Sequence, residues 1–347
     1  MQMCRAFAGA GHDVTLFSRP GTDDRDDYEY HGVDHVFDIV KSPAFGTPWI
    51  REWRYARATR KEMLQREPFD LIYGRHLPSL ALAARGDTPF IYEAHQPASR
   101  TGKAVEQILF RRRNLARVVF ISEALRQVYV SRYTHLSAEM TIVAHDAAPP
   151  PPSQPDRFRA STHNGRLQVG YSGSLYSGRG IDVIAALARR MPRIDFHICG
   201  GSTEEVGECR RHASDCVNLT FHGFLPPSQI GTWQDSMDVL LAPYQVAVPT
   251  VAWMSPLKIF EYMASGKPII ASDLPVLREV LTHGKTALLV QADDILAWVD
   301  ALQQLRHPEI RASLGQQAKE MLRLLYTWDH RAGRVLGGIG DSVSFAA

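Results

Sequence analysis

Residues 255–273 read Ser-Pro-Leu-Lys-Ile-Phe-Glu-Tyr-Met-Ala-Ser-Gly-Lys-Pro-Ile-Ile-Ala-Ser-Asp, the pattern of one helix feeding one buried strand. Ser255 is an expected N-cap, and Pro256 falls at the first helical position, where proline is tolerated. Gly266 is the expected left-handed terminator, and 268–271 read as a buried strand. Leu257, Phe260 and Ala264 share one face of this helix, with Ile259 and Met263 beside them. Lys258, Glu261, Tyr262 and Ser265 recur at helical spacing on the other. Lys258 sits in the first turn, where the helix dipole disfavours a cation. The residue is then either a solvated lysine or part of an anion site on the free N–H groups of that turn.

Working outward, a second strand-to-helix turn has related chemistry. A strand over 167–172 runs into Gly173-Ser174-Leu175-Tyr176-Ser177-Gly178-Arg179-Gly180, with a helix expected from Ile181. Glycines after a strand permit close approach of backbone to phosphate. The loop is not a P-loop, because Arg179-Gly180 stands where Lys-Ser/Thr belongs, and its glycine spacing is not that of a dinucleotide fingerprint.

Further strands are expected at 195–199, 217–221, 239–242 and 287–290. In the first half they are expected at 14–17, 71–73, 89–92 and 117–121, between helices at 53–66, 77–84 and 104–114. Strands alternating with helices predict parallel, doubly wound sheets. Residues 147–155 hold five prolines, which suits an extended connector. The expected organisation is a first doubly wound α/β domain at 1–150, a Pro-rich linker at 151–165, and a second such domain at 166–325. A C-terminal helix at 326–347 is expected to cross back to the first domain. Residues 1–11 read as a helix closed by Gly11 with no strand before it, so the first strand of the N-terminal domain is expected to be missing.

The bulk numbers narrow the class. The 347 residues favour two domains, and a formal charge of +2 gives no reason to expect nucleic acid. Cys4, Cys199, Cys209 and Cys216 lack paired metal spacing and read as reduced thiols of a cytoplasmic protein, with no metal site. No apolar run approaches the ~20 residues of a membrane span.

The segments 173–184, 222–230, 238–244, 255–273 and 277–290, in that order, resemble the group 1 (family 4) retaining glycosyltransferases. That family has the GT-B fold: two Rossmann-like α/β domains with parallel sheets facing a central cleft. The resemblance implies transfer of a sugar from a nucleoside diphosphate sugar, UDP- or GDP-linked, to a glycan or lipid-linked acceptor, with retention and without a metal or other cofactor. Glu261 matches the second glutamate of the family's Glu-x7-Glu motif, which holds the nucleotide ribose. Lys258, Arg179 and the Gly173-Ser174 turn, with the Ser255-Pro256-Leu257 helix start, would take the diphosphate. Gly223 and Phe224 would lie by the base, and His95 resembles the first-domain histidine that faces donor sugar and acceptor. Catalytic work would fall to His95, Arg179 and Lys258.

The departures are specific. Trp253 stands where the first glutamate of the motif belongs, so sugar preference is not inherited. Ser174 replaces the family's usual arginine, leaving Lys258 to take over part of its charge. The family's first strand, and the glycine-rich loop that follows it, have no counterpart. Asp23-Asp24 and Asp26-Asp27 read as solvated rather than metal-binding. Basic stretches at 51–60 and 111–113, interleaved with Trp49, Trp53, Tyr55 and Phe110, suit an anionic membrane surface or a lipid-diphosphate acceptor, or are ordinary solvated helix faces. On the first of these readings the protein is expected at the inner face of a membrane; the resemblance implies a part in polysaccharide biosynthesis. The alternatives are a GT-B nucleotide-sugar epimerase and a non-catalytic sugar-nucleotide-binding protein.

Overall fold

Among the described residues, short strands alternate with helices and pair only in parallel. The computed structural model describes residues 1–21, 25–66, 68–150 and 165–339. One unit comprises 1–29, 33–145 and the chain from Asp329 on; the second comprises 30–32 and 146–328.

In the first unit α1 (Gln2–Gly9) precedes a parallel pair, β1 (Thr15–Ser18) with β2 (Asp38–Lys41), joined through the short α2 (Asp27–His31). Then α3 (Pro48–Met63), β3 (Ile72–Gly74), α4 (Leu77–Ala83), β4 (Phe90–Ala94), α5 (Arg100–Phe110), β5 (Leu115–Phe120), α6 (Glu123–Arg132) and β6 (Thr141–Val143) build a four-stranded sheet in the order β3-β4-β5-β6. Every residue of β4 is buried, as a strand covered on both faces must be. Ser99 and Ser122 cap α5 and α6 through their hydroxyls. Between these helices the fully buried Glu106 accepts hydroxyl hydrogen bonds from Tyr129 at 2.5 Å and Tyr133 at 2.6 Å. This satisfies a carboxylate that burial would otherwise penalise.

The second unit contains β7 (Leu167–Ser172), α7 (Ile181–Arg190), β8 (Ile194–Cys199), α8 (Thr203–His212), β9 (Leu219–Gly223), α9 (Pro227–Asp235) and β10 (Val239–Ala242). It continues with α10 (Leu257–Ser265), β11 (Ile269–Ser272), α11 (Pro275–Arg278), β12 (Leu288–Val290), α12 (Ile295–Gln304) and α13 (Pro308–Leu325). The strand order β12-β11-β10-β7-β8-β9 reverses direction at β7. Ligands of open parallel sheets bind outside the carboxyl ends of the strands at such a switch point, here the ends of β7 and β10.

The structure corrects several expected boundaries. β2 and β6 belong to the sheets although neither was expected, since four and three residues carry little periodic signal. α3 starts at Pro48 rather than 53. β9 starts at Leu219 rather than 217, with Val217 wholly outside the sheet and 98% exposed. The helix expected at 326–347 is α14 (Trp328–Leu336), and it is separated from α13 where the Ala148 N–H donates to the Tyr326 carbonyl at 3.1 Å and Ala148 bridges Thr327. The linker expected at 151–165 lies, apart from Gly165, outside the described residues, as does the Asp23-Asp24 pair. Asp26 accepts from the N–H groups of Tyr28 and Glu29 at the start of α2, and Asp27 pairs with Lys41 of β2 at 2.7 Å. Among the described residues no helix is long and apolar enough to cross a membrane.

Candidate active site

At the end of β7 the chain turns at Gly173, whose φ of +144° favours glycine. A Cβ there would lie 2.6 Å from the Lys258 Nζ, so the missing side chain is what admits the lysine. Gly180 (φ +82°) is under the same constraint: a Cβ would meet the Pro243 carbonyl oxygen, which follows β10. The two glycines thus bring the β7 loop against the ends of α10 and β10.

Lys258 is buried, with its Nζ 3.7 Å from the centre of the Tyr171 ring and 5.2 Å from that of Tyr244. Arg179 lies 5.1 Å from the Tyr244 ring on its own account, and 4.4 Å from Tyr176. Two cations therefore lie against one tyrosine ring. Among the described residues neither the Lys258 Nζ nor the Arg179 Nε has a hydrogen-bond partner. Burial, reinforced by the Arg179 charge and opposed by Glu261, holds the Lys258 ammonium well below the usual lysine range. Burial likewise pushes the Glu261 carboxyl up, against the pull of Lys258 and the Gln234 amide. A desolvated, unpartnered ammonium beside a guanidinium is costly unless an anion arrives.

The structure corrects one reading of α10. Ser255 does not cap it: the helix begins at Leu257 after Pro256, no side chain caps it, and the Ser255 Oγ instead accepts from the Asp146 N–H at 2.9 Å. This leaves the α10 N-terminus uncapped beside Lys258, the arrangement that suits an anion. Of the two readings of Lys258, the solvated one fails, because the side chain is buried. Tyr262 is fully buried, its hydroxyl accepting from the Ser172 N–H at 2.9 Å and donating to the Leu241 carbonyl at 3.3 Å. It ties the carboxyl ends of β7 and β10 together. Leu257, at the helix start, is 48% exposed.

Of the residues singled out in sequence, Gly173, Arg179, Lys258 and Glu261 come together here, with Pro256 and Leu257 at the helix start. Ser174 is exposed in the same turn, and its carbonyl accepts from the Tyr171 hydroxyl. Gly223 and Phe224 end β9 on the same sheet edge, Phe224 being 61% exposed. Trp253 is half-buried in the turn before Met254, its N–H bonded to the Thr250 carbonyl.

His95 follows β4 in the first unit. Its Nε2 lies 2.5 Å from Glu93 Oε1, and Glu93 in turn pairs with Arg331 of α14 at 2.8 Å. Burial alone would raise the Glu93 carboxyl, but Arg331 and His95 outweigh it and hold the group below the ordinary range. Arg331 also donates to the carbonyls of His145 and Ala144 and to the Tyr73 hydroxyl. A carboxylate accepting at Nε2 leaves the Nδ1 lone pair for a substrate hydroxyl. Sequence reasoning missed Glu93 and Arg331, and also Tyr171, Tyr244 and Gln234. Glu93 alone carried a signal, two residues before His95 on one side of a strand.

A family model described as "Glycosyl transferases group 1" matches residues 166–307, and one described as "Glycosyltransferase Family 4" matches 1–145. Among curated proteins, D-inositol 3-phosphate glycosyltransferase of Corynebacterium urealyticum is 27% identical over 182 residues, covering 48% of this chain and 41% of that one. The namesake from Arthrobacter sp. is 24% identical over 91% of this chain and 83% of its own length. The matched stretch spans less than half the length of the Corynebacterium relatives. Among solved structures, sucrose-phosphate synthase from Thermosynechococcus elongatus superposes with a TM-score of 0.76 at 18% identity, covering 99% of this chain and 92% of that one. Anabaena HepE, in complex with UDP and glucose, gives 0.72 at 17%, covering 99% and 96%. The fold is the two-domain α/β GT-B fold.

Proposed function

Because the chain belongs to the group 1 / family 4 glycosyltransferases, we propose that it transfers a sugar from a nucleoside diphosphate sugar to a glycan or lipid-linked acceptor with retention of anomeric configuration. The observation that carries this is the buried, unpartnered Lys258 ammonium, set with Arg179 at the switch point beside an uncapped helix start. As the anomeric C–O bond breaks, negative charge grows on the leaving diphosphate. Lys258, Arg179 and the first amides of α10 are fixed before that charge develops, so they stabilise it without reorganising, in the role a metal takes elsewhere. Glu261 holds the ribose hydroxyls. His95, backed by Glu93, serves the acceptor. The leaving phosphate oxygen takes the acceptor proton, which is what same-face attack requires. That curated relatives carry glycosyltransferase names, and that HepE was solved with UDP and glucose, supports a nucleotide-linked donor. We extend the proposal to contact with the inner face of a membrane.

Thermal shift against UDP-, GDP- and ADP-sugars tests the donor site. One of these should stabilise the protein. Lys258→Ala and Glu261→Ala should each weaken its binding roughly 10- to 100-fold, the range for a lost charge-assisted hydrogen bond. Undiminished affinity in both variants would discard the site.

A further inference from the structure

Helix α3 carries chemistry that the donor site does not use. Its inner side, Tyr55, Ala56 and Thr59, is buried. Trp49, Trp53, Arg57, Arg60, Lys61 and Leu64 fall at i, i+4, i+8, i+11, i+12 and i+15 along the opposite side. Trp49 is 66% exposed and Leu64 73%, and the Trp49 and Trp53 rings lie 6.4 Å apart. Against this side opens a hollow of about 500 Å³ whose walls include Trp53, Arg57, Arg60, Lys61, Leu64 and, from beyond α4, Arg85.

The charge in that hollow is unbalanced. Arg51 and Arg66, close to the two ends of the helix, pair with Glu52 and Asp38. Among the described residues Arg57, Arg60, Lys61 and Arg85 have no such partner, and a further guanidinium, Arg112, is near enough to Arg85 to feel its charge. Arg60 and Lys61 occupy the last turn of α3, where the helix dipole favours cations. That accounts for two of the four, and for neither Trp49 nor Leu64. Exposed apolar side chains at both ends of a cationic stripe have no use for a small soluble anion, which could not span the ~22 Å from Trp49 to Leu64. They suit an extended anionic surface with an apolar interior.

We propose that the outer face of α3, with Arg85, is the surface by which this protein docks on an anionic phospholipid bilayer. The four cations meet headgroup phosphates, while Trp49 and Leu64 enter the boundary between headgroups and acyl chains. This gives residues to the membrane contact proposed above; it rests on that reading for its purpose only, since the donor site plays no part in it.

Sedimentation of the full chain with vesicles of phosphatidylglycerol and phosphatidylcholine, against vesicles of phosphatidylcholine alone, tests the idea. The protein should follow the anionic vesicles and release as sodium chloride rises, since a surface contact is screened within about 10 Å at 0.1 M salt. Arg57→Gln with Arg85→Gln should weaken partition about 30-fold, at the fold-change expected for two cations on such a surface. Trp49→Ala with Leu64→Ser should weaken it further, while the donor-induced thermal shift of both variants stays as in the parent chain. Equal binding to both vesicle types, salt-independent binding, or full partition by either variant overturns the proposal. Release by inorganic phosphate beyond that caused by sodium chloride of equal ionic strength also overturns it, in favour of a soluble phosphate ligand. Should a variant melt early, the vesicle comparison and salt series on the parent chain decide. Loss of vesicle binding with the donor shift intact sinks only this inference, and the converse sinks only the donor site.

Discussion

Lys258 is held in a state that water would not favour. Its ordinary pKa is near 10.4, and burial together with Arg179 depresses it in the folded chain. Between the depressed value and the ordinary one, the unfolded chain binds more protons than the folded one, so stability rises with pH across that window. Lys258→Met removes the penalty and should raise the melting temperature of the ligand-free protein at neutral pH by about 2–4 °C, the shift expected for ~1 kcal/mol, while abolishing the donor-induced shift. A bound diphosphate restores the reason to be charged, so donor binding takes up a proton in the same window. Affinity for the donor should therefore fall as pH rises through it. Calorimetry in two buffers of different ionisation enthalpy reads that proton directly.

At the scale of elements, α10 and the β7 turn form one device: glycine at 173 makes the space that Lys258 fills. Gly173→Ala should cost about 1–3 kcal/mol in backbone strain and displace the ammonium, lowering the melting temperature and weakening donor binding together. Much of this was legible. The glycine spacing, the Pro-Leu-Lys start and Gly266 marked both elements, and the strands 167–172 and 239–242 lie where expected. What could not be read was which face of α10 was covered. A lysine and a tyrosine at helical spacing with a glutamate look like a polar face, and only the glycine opposite and the hydroxyl seats at Ser172 and Leu241 bury them. Ser255 misled for a related reason: a good capping residue was claimed by a backbone amide 109 residues away. Tyr171 and Tyr244 read as core strand-end aromatics, and nothing local distinguishes a ring that packs from one that also receives a cation.

At the scale of the whole molecule, the path of the chain matters more than its sheets. The first unit takes its last helix from beyond the second, and Arg331 on that helix answers the buried Glu93 that holds His95. Removing one partner of a buried pair typically costs 3–5 kcal/mol. Arg331→Met should therefore melt the first unit ahead of the second in calorimetry, splitting the transition, while the donor-induced shift of the second unit persists. A single unsplit transition at the parent temperature would show that Glu93 finds another partner.

The same connection imposes a schedule. Arg331 follows His145, whose carbonyl it binds, by 186 residues. At a synthesis rate of ~5–20 residues per second, roughly 10–40 s separate their emergence from the ribosome. During that interval the nascent first unit has its strands but not its counter-charge, and Glu93 must wait hydrated or protonated in a half-closed sheet. The second unit meanwhile has every residue of its donor pocket. The residues of the proposed donor site thus emerge before the first half is locked, and the first turn of α14, which follows them, completes the seat of His95.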